Sequence, residues 1–527
     1  MRLKARTTGS ARRWLGKVDA FFNRLYGWRS NPVYHSGALA VAAFLVLLVT
    51  GVYLLLFYRI GSPWQSVAGL QEQGWGGRWI RALHRYASDL TVAAVLLHAV
   101  RMFLQRRTWG SRALAWVSGL VLFLVVLACG WTGLVMVWDE PALVLAREGA
   151  RLIDVIPVFS EPLERTFAGE RAIPAAFFFL NLFLHIALPV GVAMILWLHV
   201  SRVARPSLLP PARLLWGSVA LLCAAAVLAP APLSSEADVF AIPPRVPIDA
   251  FYAFFLPLTR PLPVPAVWGM LGAVALLLLL VPRLSRPGRG DRPAPSRVNE
   301  RLCTGCRQCA LDCPYEAIAM VPRRGERDGL VARVAADLCV SCGICAGSCA
   351  PMGVGPAGRT GRDQLEGVKA FIAERTPGPG DVVLVACEQG AGGAAKRTEF
   401  RGAPVLSVAC AGSLHTSVVE YLVRAGAGGV MVASCPPRDC RNREGPRWLE
   451  ARMYHDREAE LRERVDRRRV RLQFASLGEE EELEEALARF RSEVRALDGR
   501  EGEGQIVLET ECEREQPDGA APLRIAP

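Results

Sequence analysis

Histidine is scarce in this chain, at 7 of 527 residues, so the placement of each one carries information. No C-x-x-C-H occurs, and a covalently attached c-type haem is therefore not expected. No G-x-G-x-x-G follows a clear strand, which removes the usual sign of a nicotinamide- or flavin-binding fold. The net charge is +12, but basic and aromatic residues are not interleaved, so nucleic acid is not an expected partner. The N-terminal MRLKARTTGSARRWLGK is basic and polar without a following short apolar core, and no cleavable signal peptide is expected.

What the chain has in excess is apolar residues, at 51%, concentrated before about residue 282. Six spans are long enough to cross a bilayer: about 34–57, 80–105, 113–137, 174–203, 214–232 and 264–282. An even number returns both termini to one side. Segments on that side (1–33, 106–112, 202–213, 283–297) carry 19 Lys and Arg, against 8 on the other (58–79, 138–173, 233–263). The positive-inside rule then puts both termini in the cytoplasm of a prokaryotic inner membrane.

Four of the histidines fall inside these spans as two pairs, His84 with His98 and His185 with His199. Within each pair the separation is fourteen helical steps, a rise of roughly 21 Å that returns to nearly the same face. Two such helices facing each other hold two irons by paired imidazoles, one near each membrane surface. A lone membrane histidine is as readily an interhelical hydrogen bond. Two pairs with one spacing favour two b-type haems.

The neighbours of these histidines extend the pattern. Gly37 and Gly51 share the same spacing, as do Gly119 and Gly133. A glycine lets a helix pass close to a flat haem face. Residues 31–282 resemble the cytochrome b of quinol-oxidising bc and bf complexes, through the histidines, these glycines, GWTGLVMVWDEPALVL (130–145) and IDVIPVFSEPL (153–163). The resemblance implies an outer haem on His84 and His185 and an inner one on His98 and His199. It also implies that Arg81, Arg85 and Arg101 face haem propionates. The family's outer-loop P-E-W-Y, whose Glu accepts a quinol proton, is altered here to PPRVPIDAFYAFFLP (243–257). Tyr252 aligns, Phe251 replaces Trp and Ala250 replaces Glu. Asp249 is either a substitute acid or a solvated loop acid, and with Tyr252 it is the candidate catalytic pair.

Beyond the Pro/Gly/Arg linker at 283–295 the chain is cysteine-rich. Cys303, Cys306, Cys309 and Cys313 form C-x2-C-x2-C-x3-C before Pro314, and Cys339, Cys342, Cys345 and Cys349 repeat it. This is the bacterial two-cluster ferredoxin run. In it the fourth cysteine serves the other cubane, giving sets of Cys303, Cys306, Cys309 and Cys349, and of Cys339, Cys342, Cys345 and Cys313. Four-cysteine zinc sites rarely show this triple spacing.

Three similar strands then end in cysteine: VVLVAC at Cys387, VLSVAC at Cys410 and GVMVASC at Cys435, with Cys440 close by in CPPRDC. Buried parallel strands would gather these cysteines at one sheet edge. The alternative is a sheet with buried free cysteines. Residues 380–475 resemble the delta subunit of methyl-viologen-reducing hydrogenases, in these cysteines, CPPRDC and RNREGPRWLEARM. That resemblance implies a 2Fe–2S cluster and a flavoprotein partner of the heterodisulfide-reductase type. The family's opening C-x2-C is here CEQG, with Gly390 at the second position. Cys129 and Cys223 are expected to be packing residues, and Cys512 falls in the tail.

The expected fold is multidomain: a six-helix transmembrane diheme bundle, a small α+β two-cluster ferredoxin domain, and an α/β parallel-sheet iron–sulfur domain. The boundaries are 1–33 (cytoplasmic segment), 34–203 (four-helix diheme domain), 204–282 (two further helices), 283–295 (linker), 296–355 (ferredoxin), 378–475 (delta-subunit-like) and 476–527 (charged helix and tail). The expected cofactors are two b-type haems, two 4Fe–4S clusters and one 2Fe–2S cluster, with quinone as substrate. The expected partners are membrane lipid, quinone, a cytoplasmic flavoprotein or hydrogenase-type subunit, and a Rieske-like or cytochrome c subunit; cytochrome b complexes are also dimeric. Two functions fit: an electron relay between a cytoplasmic partner and quinone, or a membrane anchor and docking module without quinone turnover. The tethering predicts a cofactor order of C-terminal cluster, ferredoxin clusters, inner haem.

Overall fold

In the computed structural model, residues 2–498 are described, apart from 28–29, 106, 110–111, 156–161, 168–172, 202–207, 241–245, 248, 260, 286–293, 324–328, 379, 393–397, 438–439, 456, 458 and 477–478, and apart from the side chains of 2–13 and 201. Most of the segment 153–163, part of 243–257, most of the linker and Cys512 therefore lie outside the described residues.

The membrane half is helical: α1 (Arg2–Tyr26), α2 (Ser36–Leu55), α3 (Pro63–Glu72), α4 (Gly77–Leu104), α5 (Ala113–Val137), α6 (Glu140–Ile153), α7 (Ala175–Ser201), α8 (Ala212–Leu228), α9 (Leu256–Thr259) and α10 (Val264–Leu284). Among the described residues α2, α4, α5, α7 and α10 are long and apolar enough to cross a membrane. The sixth expected span is shorter than the others, because α8 runs 17 residues between Pro211 and the Pro230–Pro232 stretch. That length is at the lower limit for a crossing. Outward faces of these helices stay apolar; Leu276 and Leu277 are each more than half exposed. Lipid tolerates such a face only because the helix satisfies its own backbone.

Two helix pairs make the bundle: α2 lies along α4, and α5 along α7. The short helices position the outer loops. Asp139 caps α6, accepting from the Ala142 N–H at 3.1 Å. The helix α1 is anchored from below by Asp19, which forms a two-pronged ion pair with Arg101 at 2.8 and 3.1 Å.

The ferredoxin domain contains β1 (Arg297–Val298), α11 (Gln308–Leu311), β2 (Ile318–Pro322), β3 (Leu330–Val334), α12 (Ile344–Gly347) and β4 (Val354–Gly355). Strand β1 pairs with β4 and β2 with β3, both antiparallel. Its two cysteine motifs are a structural repeat. Gly305 and Arg307 take positive φ, as do Ser341 and Gly343 at the equivalent places, and Glu316 matches Met352 in the same way. Alternating backbone hands of this kind turn successive N–H groups inward and make anion-binding nests.

The last domain contains α13 (Gly361–Arg375), β5 (Val382–Cys387), β6 (Glu399–Phe400), β7 (Ala403–Val408), α14 (Thr416–Arg424), β8 (Gly429–Ser434), α15 (Gly445–Tyr454), β9 (Val470–Phe474) and α16 (Glu480–Asp498). The sheet order is β6-β7-β5-β8-β9, with β7, β5, β8 and β9 parallel. Val368, Leu422 and Leu449 of α13, α14 and α15 cover one face. Leu483, Leu487, Phe490 and Val494 of α16 cover the other. The charged helix therefore belongs to this domain, which extends past the expected limit at 475. Its acidic residues face solvent while a four-residue stripe completes the core.

Candidate redox centres

His84 and His185 meet between α4 and α7 with ring centres 6.3 Å apart. A metal between two imidazoles, at ~2.0–2.1 Å per bond on the zinc value and with each ring centre about 1.2 Å behind its nitrogen, needs a spacing of roughly 6.4 Å. The donor set and its spacing fit an iron held by two imidazoles. His98 and His199 lie within electrostatic reach of each other one level further in.

Each of the four glycines abuts one of these imidazoles. A Cβ on Gly37 would lie 2.8 Å from His98 Nδ1, one on Gly133 2.7 Å from His185 Cε1, one on Gly119 3.3 Å from His199 Cε1, and one on Gly51 3.4 Å from His84 Cε1. The glycines therefore admit the ligand ring itself. Directly before each glycine stands a hydroxyl residue: Ser36, Thr50, Ser118 and Thr132. Three of them reach Nδ1 of the matching histidine, Thr50 to His84 at 2.8 Å, Ser118 to His199 at 2.9 Å and Thr132 to His185 at 3.2 Å. The Cys129 carbonyl, four residues before Gly133, accepts from His185 Nδ1 at 2.9 Å. The carbonyls of Leu47 and Ala115, four residues before Gly51 and Gly119, serve His84 and His199 in the same way. With Nδ1 donating, Nε2 keeps its lone pair for a metal. Ser36 Oγ is buried without a partner among the described residues. This hydroxyl–glycine repeat is legible in the sequence, but only once the histidines are known to face it.

The three arginines have protein acceptors. Arg81 donates to Gln71 Oε1 at 2.9 Å and to the Ala231 and Pro232 carbonyls. Arg85 bridges Asp89 and Asp249, and Arg101 is held by Asp19 beneath the Tyr34 ring. Asp89 and Asp19 were not foreseen, since neither belongs to a recognised motif.

In the loop before α9, Asp249 is tied down. Its Oδ1 accepts the N–H groups of Phe251 and Tyr252 at 2.9 and 2.7 Å, and its Oδ2 pairs with Arg85. Its carboxylate is 16% exposed, and its bonds order the turn that presents Tyr252. The Tyr252 hydroxyl meets Ser88 Oγ at 2.5 Å, and its ring lies on Gly130 of α5, where a Cβ would come within 2.0 Å.

In the ferredoxin domain, Cys303, Cys306, Cys309 and Cys349 line one pocket together with Met320 and Val354. These are the four cysteines of the first expected set. Cys342 and Cys345 lie within electrostatic reach of Cys313 and Cys339, the second set. Among the described residues, no three His, Cys, Asp or Glu side chains close on a single-ion position. Backbone N–H groups reach the sulfurs, Ala317 to Cys313 at 3.4 Å and Gly353 to Cys349 at 3.2 Å. Burial pushes the Cys345 thiol up to about 12 and the Cys342 thiol well above its ordinary range. Such buried thiols become good ligands when a cationic cluster compensates their charge.

The third group forms at the carboxyl ends of the parallel strands. Cys387 ends β5, Cys410 follows β7 and Cys435 follows β8; with Cys440 all four are at most 3% exposed. Hydrogen bonds from the Cys410 and Cys435 thiols hold Cys440 well below the ordinary thiol range. The start of α15 closes over them: a Cβ on Gly445 would lie 3.0 Å from Cys410 Sγ and 3.2 Å from Cys440 Sγ. Gly390 sits on the same edge, beside the Cys435 N–H.

Arg452 joins the ferredoxin domain to the last domain. Its guanidinium is buried and bonds Ser348 Oγ at 2.9 Å and the Gly412 carbonyl at 2.6 Å, beside Asp312. Ser348 and Asp312 directly precede Cys349 and Cys313, and Gly412 closely follows Cys410.

Comparison with known proteins agrees with this division. Residues 27–205 match the family model Cytochrome b/b6/petB, residues 302–353 the 4Fe-4S dicluster domain, and residues 382–498 the Methyl-viologen-reducing hydrogenase, delta subunit. The menaquinol:cytochrome c reductase cytochrome b subunit of Geobacillus thermodenitrificans is 26% identical over 34% of this chain and 82% of its own length. Its Bacillus subtilis counterpart is 29% identical over 27% of this chain and 65% of its own length. A solved structure titled Hyperthermophilic respiratory Complex III aligns with 49% of this chain and 78% of its own, at 17% identity and a TM-score of 0.39. In order along its length, then, this chain carries a cytochrome b/b6-type membrane segment, a 4Fe–4S dicluster ferredoxin domain and a domain of the hydrogenase delta-subunit type.

Proposed function

We propose that this chain is the membrane-bound electron-transfer subunit of a quinone-linked oxidoreductase, relaying electrons between a cytoplasmic flavoprotein or hydrogenase-type partner and the quinone pool. Two b haems on His84/His185 and His98/His199, two 4Fe–4S clusters on the eight ferredoxin cysteines and one 2Fe–2S cluster on Cys387, Cys410, Cys435 and Cys440 are its carriers. When bound, these groups supply one-electron carriage. The chain's own residues position and tune them. The observation that carries the reading is the fourfold repeat in which a glycine admits each imidazole, backed at three of the four by a hydroxyl bond to Nδ1.

Each side chain has a task in this scheme. Thr50, Ser118 and Thr132 fix the imidazole tautomer that leaves Nε2 for iron. Asp249 orders the turn bearing Tyr252, and the Tyr252–Ser88 pair lies about one turn along α4 from His84, where a quinol head would meet the outer site. The relatives are cytochrome b subunits of menaquinol:cytochrome c reductases by name, so a menaquinol analogue is the substrate to try. A Rieske-like or cytochrome c subunit and a second copy of the chain are the further partners implied. The locked Asp249 favours a second reading, an anchor without quinone turnover, because a carboxylate already holding three donors is a poor proton acceptor.

The test is spectroscopic. Purified protein should show two bis-histidine b haems, and a menaquinol analogue should reduce them within turnover times. Absence of haem overturns the reading. Two haems that no quinol reduces select the anchor.

A further inference from the structure

The order expected from the linker sets the ferredoxin domain against the membrane. The contacts are different. Tyr34 donates its hydroxyl to the Pro437 carbonyl at 3.0 Å. Arg107, just beyond the inner end of α4, donates to the Cys440 carbonyl at 2.6 Å. These two partners belong to the C-terminal domain and lie within two residues of, or on, its cluster cysteines. On the membrane side, Tyr34 packs edge-on against His35 at 4.8 Å, and Gly37, three residues on from Tyr34, abuts His98. Arg107 is in turn within electrostatic reach of His98.

The ferredoxin side joins behind this junction. A Cβ on Gly343, next to Cys342, would come 2.9 Å from Ser413 in the turn after Cys410. Arg452 stitches Ser348 to Gly412 across the same boundary. Tyr315 lies under Arg112, at the start of α5, and directs its hydroxyl toward the Arg441 carbonyl at 3.5 Å, so the ferredoxin domain touches the bundle at this tyrosine, beside the 440 region.

We infer that the C-terminal four-cysteine set, not the ferredoxin sets, is the immediate redox neighbour of the inner histidine pair, and that Arg107 is the positioning residue that joins them. The inference rests on the proposed function for the presence of haem and of the third cluster. Each transfer across the junction moves one electron: the C-terminal centre is oxidised by one as the inner site is reduced by one, or the reverse, and no bond is made or broken. The net supply is the flavoprotein-type reductant or the quinol of the proposed function. The ferredoxin sets then lie on the side of the soluble partner, reversing the order read from the linker.

Arg107 places one positive charge between two centres, so its removal should weaken the electron affinity of both. The test is a redox titration of the full-length holoprotein carrying Arg107→Gln, followed by optical and electron paramagnetic resonance spectra. The expected result is a fall of about threefold to tenfold in electron affinity, up to ~59 mV for one electron, at the inner haem and the C-terminal centre together. The outer haem and the signal of the Cys303 set stay in place. Arg107→Lys should restore most of both shifts. If Arg107→Gln does not accumulate, Tyr34→Phe carries the same expectation at smaller size. An inner haem that shifts together with a ferredoxin signal, or no shift at either centre, overturns the inferred order. A wild-type protein with only about eight irons and no third signal overturns the cluster assignment instead.

Discussion

Alanine at the four glycines should separate into two classes. At Gly37 and Gly133 the added Cβ would sit 2.8 and 2.7 Å from the facing imidazole, closer than carbon can approach carbon or nitrogen. The helices must part or the ring must turn by nearly 1 Å, and neither is easy. His185 is held by Cys129 and Thr132, and His98 is enclosed between α2 and α4. Overpacking of this kind costs about 1–3 kcal/mol, or roughly 5- to 150-fold in affinity for the group the histidine binds. At Gly51 and Gly119 the distances are 3.4 and 3.3 Å, near ordinary contact, and the cost should stay below about 1 kcal/mol. Gly133→Ala should therefore strip the outer haem, Gly37→Ala the inner one, and Gly51→Ala and Gly119→Ala should keep both. Haem content per chain and resolved low-temperature α bands measure this directly. Equal loss in all four variants, or full haem in Gly133→Ala, would refute the steric argument.

Other consequences can be checked with single variants. Thr50→Val removes a hydroxyl that accepts from His84 Nδ1, lowers ligand basicity and should raise the outer haem midpoint by about 20–65 mV, the equivalent of ~0.5–1.5 kcal/mol; an unchanged titration would show the Leu47 carbonyl suffices. Arg452→Met leaves Asp312 buried with one partner fewer and should cost the iron–sulfur half about 3 kcal/mol, seen as a melting point lowered by roughly 6–12 °C with iron content intact. Cys387→Ala should reduce iron from about ten to about eight per chain while both ferredoxin signals persist. Asp249→Asn keeps an acceptor for the turn but drops the charge opposite Arg85; if Asp249 is purely structural, quinol-driven haem reduction falls no more than about threefold and its pH profile is unmoved, whereas a lost alkaline limb would make it the proton acceptor.

Much of the architecture was legible because membrane helices and cluster loops are written in local patterns. Apolar runs must be helical in lipid whatever their neighbours, so five of six spans appear at full length and the sixth is cut only by prolines. The ferredoxin cysteines needed no more than their spacing, since the loop between two of them sets the direction of both thiols. The strand-end cysteines were found through the β-branched runs before them. Hydroxyl residues before the glycines stayed unread, because Ser and Thr are common in such helices and acquire meaning only opposite a histidine. The α16 helix was separated from its domain because four apolar residues among glutamates look the same whether or not a sheet lies beneath them.

Candidate ligand types follow from the sequence alone: fourteen-step histidine pairs and repeated cysteine triplets restrict which metals can be held, by chemistry and helical periodicity. Which centre touches which does not. Arg101 and Arg85 are as suited to propionates as to Asp19 and Asp249, and a guanidinium's partner depends on which carboxylate the fold brings near. The linker limits how far the domains after it can travel but not how they turn, so the placement of Pro437 and Cys440 against Tyr34 and Arg107 exists only in the packed molecule. Periodicity acts along the chain, whereas docking depends on surfaces assembled from residues hundreds of positions apart. The tertiary structure alone therefore decides which surfaces meet.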